Sequence, residues 1–151
     1  MQPRTLFRAL AFAEAVTWTL LIAAMVMKYG FGQDALMGPA GGTHGFIFLS
    51  YAASTVFVGV NQKWKFGTIV LGLVTAVIPY ATIPFEKSMD KQGKLDGGWR
   101  LAPGGDQPAG FVEQVQAFIL RRPVVSVVGV LIAIVAVFSV LLYLGPPVDF
   151  S

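Results

Sequence analysis

The 151 residues contain no cysteine, which excludes disulfides, thiolate metal sites and cysteine nucleophiles. Histidine occurs once, as His44, so neither a bis-histidine haem nor a multi-histidine zinc site can be assembled within one chain. Charge is scarce. Asp, Glu, Lys and Arg make up 13% of the residues, about half the share found in soluble domains. No Lys/Arg cluster has interleaved aromatics, so nucleic acid is not an expected partner. Gly41-Gly42-Thr43-His44-Gly45 is glycine-rich but lacks the Walker or dinucleotide spacing. No Ser/His/Asp set has plausible geometry either. No cofactor, metal or catalytic residue is expected.

The chain is instead rich in apolar side chains, 55% of the total, gathered in blocks rather than alternating. Blocks of this length and polarity are membrane-spanning helices. Spans are expected at 9–27, 43–60, 67–84 and 124–144, within one membrane domain covering 1–151. The fold class is all-α: a polytopic membrane protein with four transmembrane helices and a short interfacial one. Pro146-Pro147 should stop the last helix. Between 85 and 122 lies the one long hydrophilic stretch, expected to be loop apart from an amphipathic helix at 111–120. There Phe111, Val112, Val115, Phe118 and Ile119 share a face opposite Glu113, Gln114 and Gln116. Phe111, Val115 and Phe118 are the candidate contacts to a partner or to the headgroup layer.

Glu14 makes the first span informative. Seven Leu, Ile, Phe and Val residues contribute roughly −3 kcal/mol to insertion, and one central acid costs about as much. That helix needs neighbours that protonate or hydrogen-bond the carboxyl. Glu14 is either polar glue between helices or a proton- or ion-handling group. His44 is read as an interfacial cap. Counting along straight helices places it roughly 15–20 Å from Glu14 along the membrane normal, too far for a pair. On the third span, Thr68, Gly72, Thr75, Pro79, Thr82 and Glu86 recur every three or four residues and form one compact face. Such a face lets another helix approach closely. Thr55 lies on the matching stripe of the second span. The candidate packing and polar residues are therefore Glu14, His44, Thr55, Gly72, Thr75 and Pro79.

Phe7-Arg8, Ala13-Glu14-Ala15, Met27-Lys28-Tyr29, Thr43-His44-Gly45, Ile78-Pro79-Tyr80 and Pro84-Phe85-Glu86-Lys87 occur in that order. Together they resemble a family of small bacterial integral membrane proteins of unknown function, over residues 5–91. The resemblance implies a three-helix core and makes Glu14 and His44 motif positions; it supplies no reaction. Members with an extension such as 92–151 are similar to small association factors of actinobacterial respiratory supercomplexes, beside cytochrome bcc and cytochrome oxidase. The expected role is a non-catalytic accessory or assembly subunit in the bacterial cell membrane, with lipid and other membrane subunits as partners. The alternative is a small transporter or proton-handling protein that uses Glu14.

Overall fold

The structure is a computed structural model that describes residues 1–144, with the side chains of the last helix described only in part. Pro146-Pro147, the expected stop of that helix, lie outside the described residues. All regular structure among the described residues is helical: α1 (Pro3–Phe31), α2 (Met37–Asn61), α3 (Phe66–Val77), α4 (Thr82–Lys91), α5 (Gly110–Arg121) and α6 (Pro123–Leu144). The helices fall into two compact units divided after Arg100. α1 and α2 are long and apolar enough to cross a membrane.

α1 opens on Pro3, whose missing N–H is not needed in a first turn. It closes on Gly32 at φ +69°, where the Gly32 and Gln33 amides reach back to the Lys28 and Met27 carbonyls at 3.1 and 3.0 Å. α2 starts at Met37 rather than at 43. Gly38–Gly42 reads as a break but is helical, because Pro39 falls in the first turn, where no intrahelical N–H bond is lost.

The third span expected at 67–84 is not one crossing helix. α3 ends at Val77, since Pro79 cannot continue it and Ile78 is extended (ψ +120°). Tyr80 then takes φ +65°, a left-handed conformation that costs a side-chain-bearing residue about 1–3 kcal/mol. The chain turns back as α4, and residues 85–91, expected as loop, are all helix. α3 packs on α2 and α4 on α1. A Cβ placed on Gly72 would lie 3.0 Å from Phe85 Cε1, so α3 and α4 run side by side. Trp64, before α3, donates to the Lys94 carbonyl after α4 at 2.9 Å. Both ends of this hairpin therefore lie at the end of the bundle where α1 begins. α3 is twelve residues long, about 18 Å, and so covers little more than half of a hydrocarbon core.

The core sits at that same end. Phe7 stacks on Tyr51 at 5.5 Å and meets Trp64 and Phe85 edge-on at 5.6 and 6.2 Å. Val58, Ala76, Met89 and Leu95 complete the cluster. Trp64 is thus a core side chain rather than the interfacial anchor its polar neighbours suggest. A strap at 93–100 closes over the end of α2. Asn61 Nδ2 donates to the Gly98 carbonyl at 3.0 Å, and the Arg100 amide donates to Asn61 Oδ1 at 2.8 Å. The Arg100 guanidinium donates to the Asn61 and Val60 carbonyls, the acceptors that a helix end leaves open.

In the second unit, Glu113 accepts the Ala109 amide at 2.7 Å and so fixes the start of α5. Arg121 donates to the Leu101 and Asp106 carbonyls and ties the preceding loop to the end of that helix. α6 begins on Pro123, one residue before the expected span.

Candidate functional site

Ala11, Glu14, Thr17 and Trp18 lie within two turns of α1 and meet the tip of the α3–α4 hairpin. Thr82 Oγ1 donates to the Ala11 carbonyl at 2.9 Å, Trp18 Nε1 donates to the Ala76 carbonyl at 3.2 Å, and Thr19 pairs with the Tyr80 hydroxyl at 3.0 Å. Thr19 is about 24 Å along α1 from Pro3, so the irregular backbone of the tip lies deep in the bundle. Such backbone is tolerated at membrane depth only where protein groups satisfy it. Here the Trp18 indole takes one freed carbonyl, the Ala81 amide takes the Ile78 carbonyl, and Pro79 has no N–H to satisfy.

Glu14 sits between these contacts with no exposed surface. Neither carboxylate oxygen has a hydrogen-bond partner among the described residues. The nearest basic group is His44, whose Nδ1 is 3.9 Å from Glu14 Oε2. Thr17 Oγ1 bridges the two by geometry: it donates to the Glu14 carbonyl at 3.1 Å and lies 3.1 Å from His44 Nδ1. The imidazole also packs on Trp18, with ring centroids 4.6 Å apart. The expectation that Glu14 and His44 lie too far apart to pair is therefore wrong. It assumed that α1 and α2 meet level at the membrane surface. In fact α1 overshoots, with Tyr29 and Phe31 exposed, and α2 begins beside Leu20, Ala23 and Ala24. The offset lowers His44 to the depth of Thr17.

The other expected packing residues divide. Thr55 and Thr75 are buried, the first donating to the Tyr51 carbonyl at 2.9 Å and the second lying 3.2 Å from the Tyr51 hydroxyl. At Gly72 a Cβ would come within 2.6 Å of Thr55 Cγ2, so the α2–α3 approach there needs glycine. Pro79 is exposed; it belongs to the hairpin tip, outside the packed face. On α5, Phe111, Val115 and Phe118 are 79, 43 and 50% exposed, while Gln116 and Ala117 are buried. The apolar stripe of that helix points outward.

A clamp missing from the sequence-based candidates joins α1 to α4. Arg4 grips both Asp90 oxygens at 2.7 Å, and Arg8 donates to Glu86 Oε1 and Asp90 Oδ2 at 2.8 Å. Burial raises the Asp90 pKa, but the hydrogen bonds and charges of Arg4 and then Arg8 outweigh that and hold it below its ordinary value. The signal was present as Arg4/Arg8 and Glu86/Asp90, each pair four residues apart and so on one helix face. It was hidden because 86–94 reads as loop.

The sequence profile of a family described as a domain of unknown function, DUF3817, matches residues 4–91. The chain belongs to that family. The DUF3817 region holds Glu14, His44, the hairpin and the clamp, whereas α5 and α6 lie outside it. A Streptomyces coelicolor protein named only as a membrane protein is 37% identical over 92 residues. That match covers 59% of this chain and 11% of the relative's length. No solved structure matches this DUF3817 chain.

Proposed function

We propose that this chain is a non-catalytic, multi-pass accessory subunit of a larger complex in the bacterial cell membrane. Most concretely, it would serve the respiratory supercomplex of cytochrome bcc and cytochrome oxidase. The observation that carries this reading is the outward apolar face of α5. Phe111, Val112, Val115, Phe118 and Ile119 would leave a sizeable apolar patch in water, and an amphipathic helix with such a face suits a partner or the headgroup layer.

In this reading α1, α2 and α6 cross the bilayer, and α3–α4 enters and leaves on one side. The four crossings expected from hydropathy become three and a re-entrant hairpin. Charge supports that topology. Arg4, Arg8, Lys63, Lys65, Lys87, Lys91, Lys94 and Arg100 fall on the side where α1 begins. Arg121 and Arg122 follow with no crossing in between, leaving Lys28 alone opposite. Ten basic residues against one make that side cytoplasmic by the positive-inside rule.

The test is purification of the full chain in mild detergent. Haem-bearing subunits should co-purify with the native chain. They should be lost from a Phe111→Ser/Phe118→Ser variant that still reaches the membrane. Recovery of the native chain alone, as monomer or homo-oligomer, refutes the accessory role.

A further inference from the structure

We propose that Glu14 and His44 form a proton-binding pair inside the bundle, holding one shared proton that is closed off from the end where α1 begins. The proposal rests on Glu14 geometry and is independent of the accessory role.

Glu14 is fully buried, and neither of its oxygens has a hydrogen-bond partner among the described residues. A lone buried carboxylate is costly to ionise, by several kcal/mol even after relaxation. One proton removes that cost in either of two arrangements: carboxylic acid beside neutral imidazole, or carboxylate beside imidazolium. Both forms are neutral overall, and the proton passes between Glu14 Oε2 and His44 Nδ1. The 3.9 Å separation needs only about one ångström of side-chain adjustment to reach hydrogen-bond distance.

A proton fits better than a metal cation. A sodium or calcium ion needs several oxygen ligands. Among the described residues no group of three metal-binding side chains forms.

Among the described residues, the other groups facing the pair are engaged elsewhere and would not compensate Glu14 if the shared proton left. On α1, Arg8 is committed to Glu86 and Asp90 of α4. On α2, the Tyr51 hydroxyl is engaged with Thr75 of α3, and the described part of α3 carries no charged side chain.

The route toward the end where α1 begins is closed. Phe7 and Tyr51, both with no exposed surface, pack with Trp64 and Phe85 between Glu14 and the end where α1 begins. His44 retains 12% side-chain exposure and lies toward the opposite end. The pair is therefore a proton store or sensor and not a through-path. The strained Tyr80 turn, held to Thr19 one turn away, places a bent hairpin tip next to the titrating pair.

Because His44 is the only histidine, imidazole ¹⁵N signals from the labelled full chain report this site alone. In nanodiscs His44 should titrate in two coupled steps, and in Glu14→Gln in a single step. The midpoints should differ by about one pH unit or more, as coupled groups require. Superimposable curves overturn the proposal. Should Glu14→Gln fail to fold, the native chain decides by mass-spectrometric mapping of a hydrophobic carbodiimide, which labels protonated carboxyls. Modification of Glu14 that declines with pH in step with a His44 transition supports the pair. No modification at any pH, or a decline unrelated to His44, refutes it.

Discussion

Replacing Gly72 tests the packing of α3 most directly. A Cβ there would lie 2.6 Å from Thr55 Cγ2 and 3.0 and 3.1 Å from the Phe85 ring, all inside ordinary van der Waals contact. Neither neighbour can yield easily. Thr55 is fixed by its hydrogen bond to the Tyr51 carbonyl, and Phe85 is wedged against Phe7 and Trp64. Gly72→Ala should therefore cost about 1–3 kcal/mol, and Gly72→Leu at the upper end of that range or above. For a chain of this size each kcal/mol lowers the melting temperature by about 2–4 °C. Thermal melting in detergent would compare these variants with Leu71→Phe and Val74→Leu, whose sites are 54 and 48% exposed and should tolerate enlargement. Thr55→Ser deletes the clashing methyl and keeps the hydroxyl, so it should recover part of the Gly72→Ala loss. Equal losses at all three sites, or no recovery from Thr55→Ser, would refute the close approach of α2 and α3.

The α1–α4 clamp should be acid-sensitive. Asp90 has a depressed pKa, so its contribution is present above the ordinary carboxylate range and is lost as pH falls through its lower folded value. Asp90→Asn should flatten that acid limb of melting temperature against pH; an unchanged limb would assign it to other groups. Asn61→Ala leaves the Arg100 amide and the Gly98 carbonyl without their partner and should cost about 1–3 kcal/mol, with faster hydrogen exchange at the Arg100 amide. Lys63, left-handed at φ +53° just past α2, should gain about 0.5–1 kcal/mol of stability on change to Gly, read by the same melts. Single cysteines are clean topology probes here, since the chain has none. Positions 63 and 94 should both be labelled from the cytoplasmic face, and labelling from opposite faces would rule out a re-entrant hairpin.

Composition and periodicity alone determined that the chain is helical and apolar in long blocks. They also picked out the α5 stripe and the compact face of α3 that carries Gly72 and Thr75. These features depend on residues near one another along a helix, so a helical repeat of 3.6 residues is enough to reveal them. Tertiary structure decided the rest. Pro79 marks a helix break in any reading, but only the return contacts, Phe85 on Gly72 and Lys94 on Trp64, make the break a hairpin instead of a kink. The charged run at 86–94 reads as loop until Arg4 and Arg8 stand opposite it and draw Glu86 and Asp90 onto one helical face. Glu14 and His44 are visible as isolated polar residues in apolar blocks. Their pairing depends on an axial offset between α1 and α2 of roughly two turns. That offset comes from packing across the helix–helix interface, and the residues of either helix taken alone do not encode it.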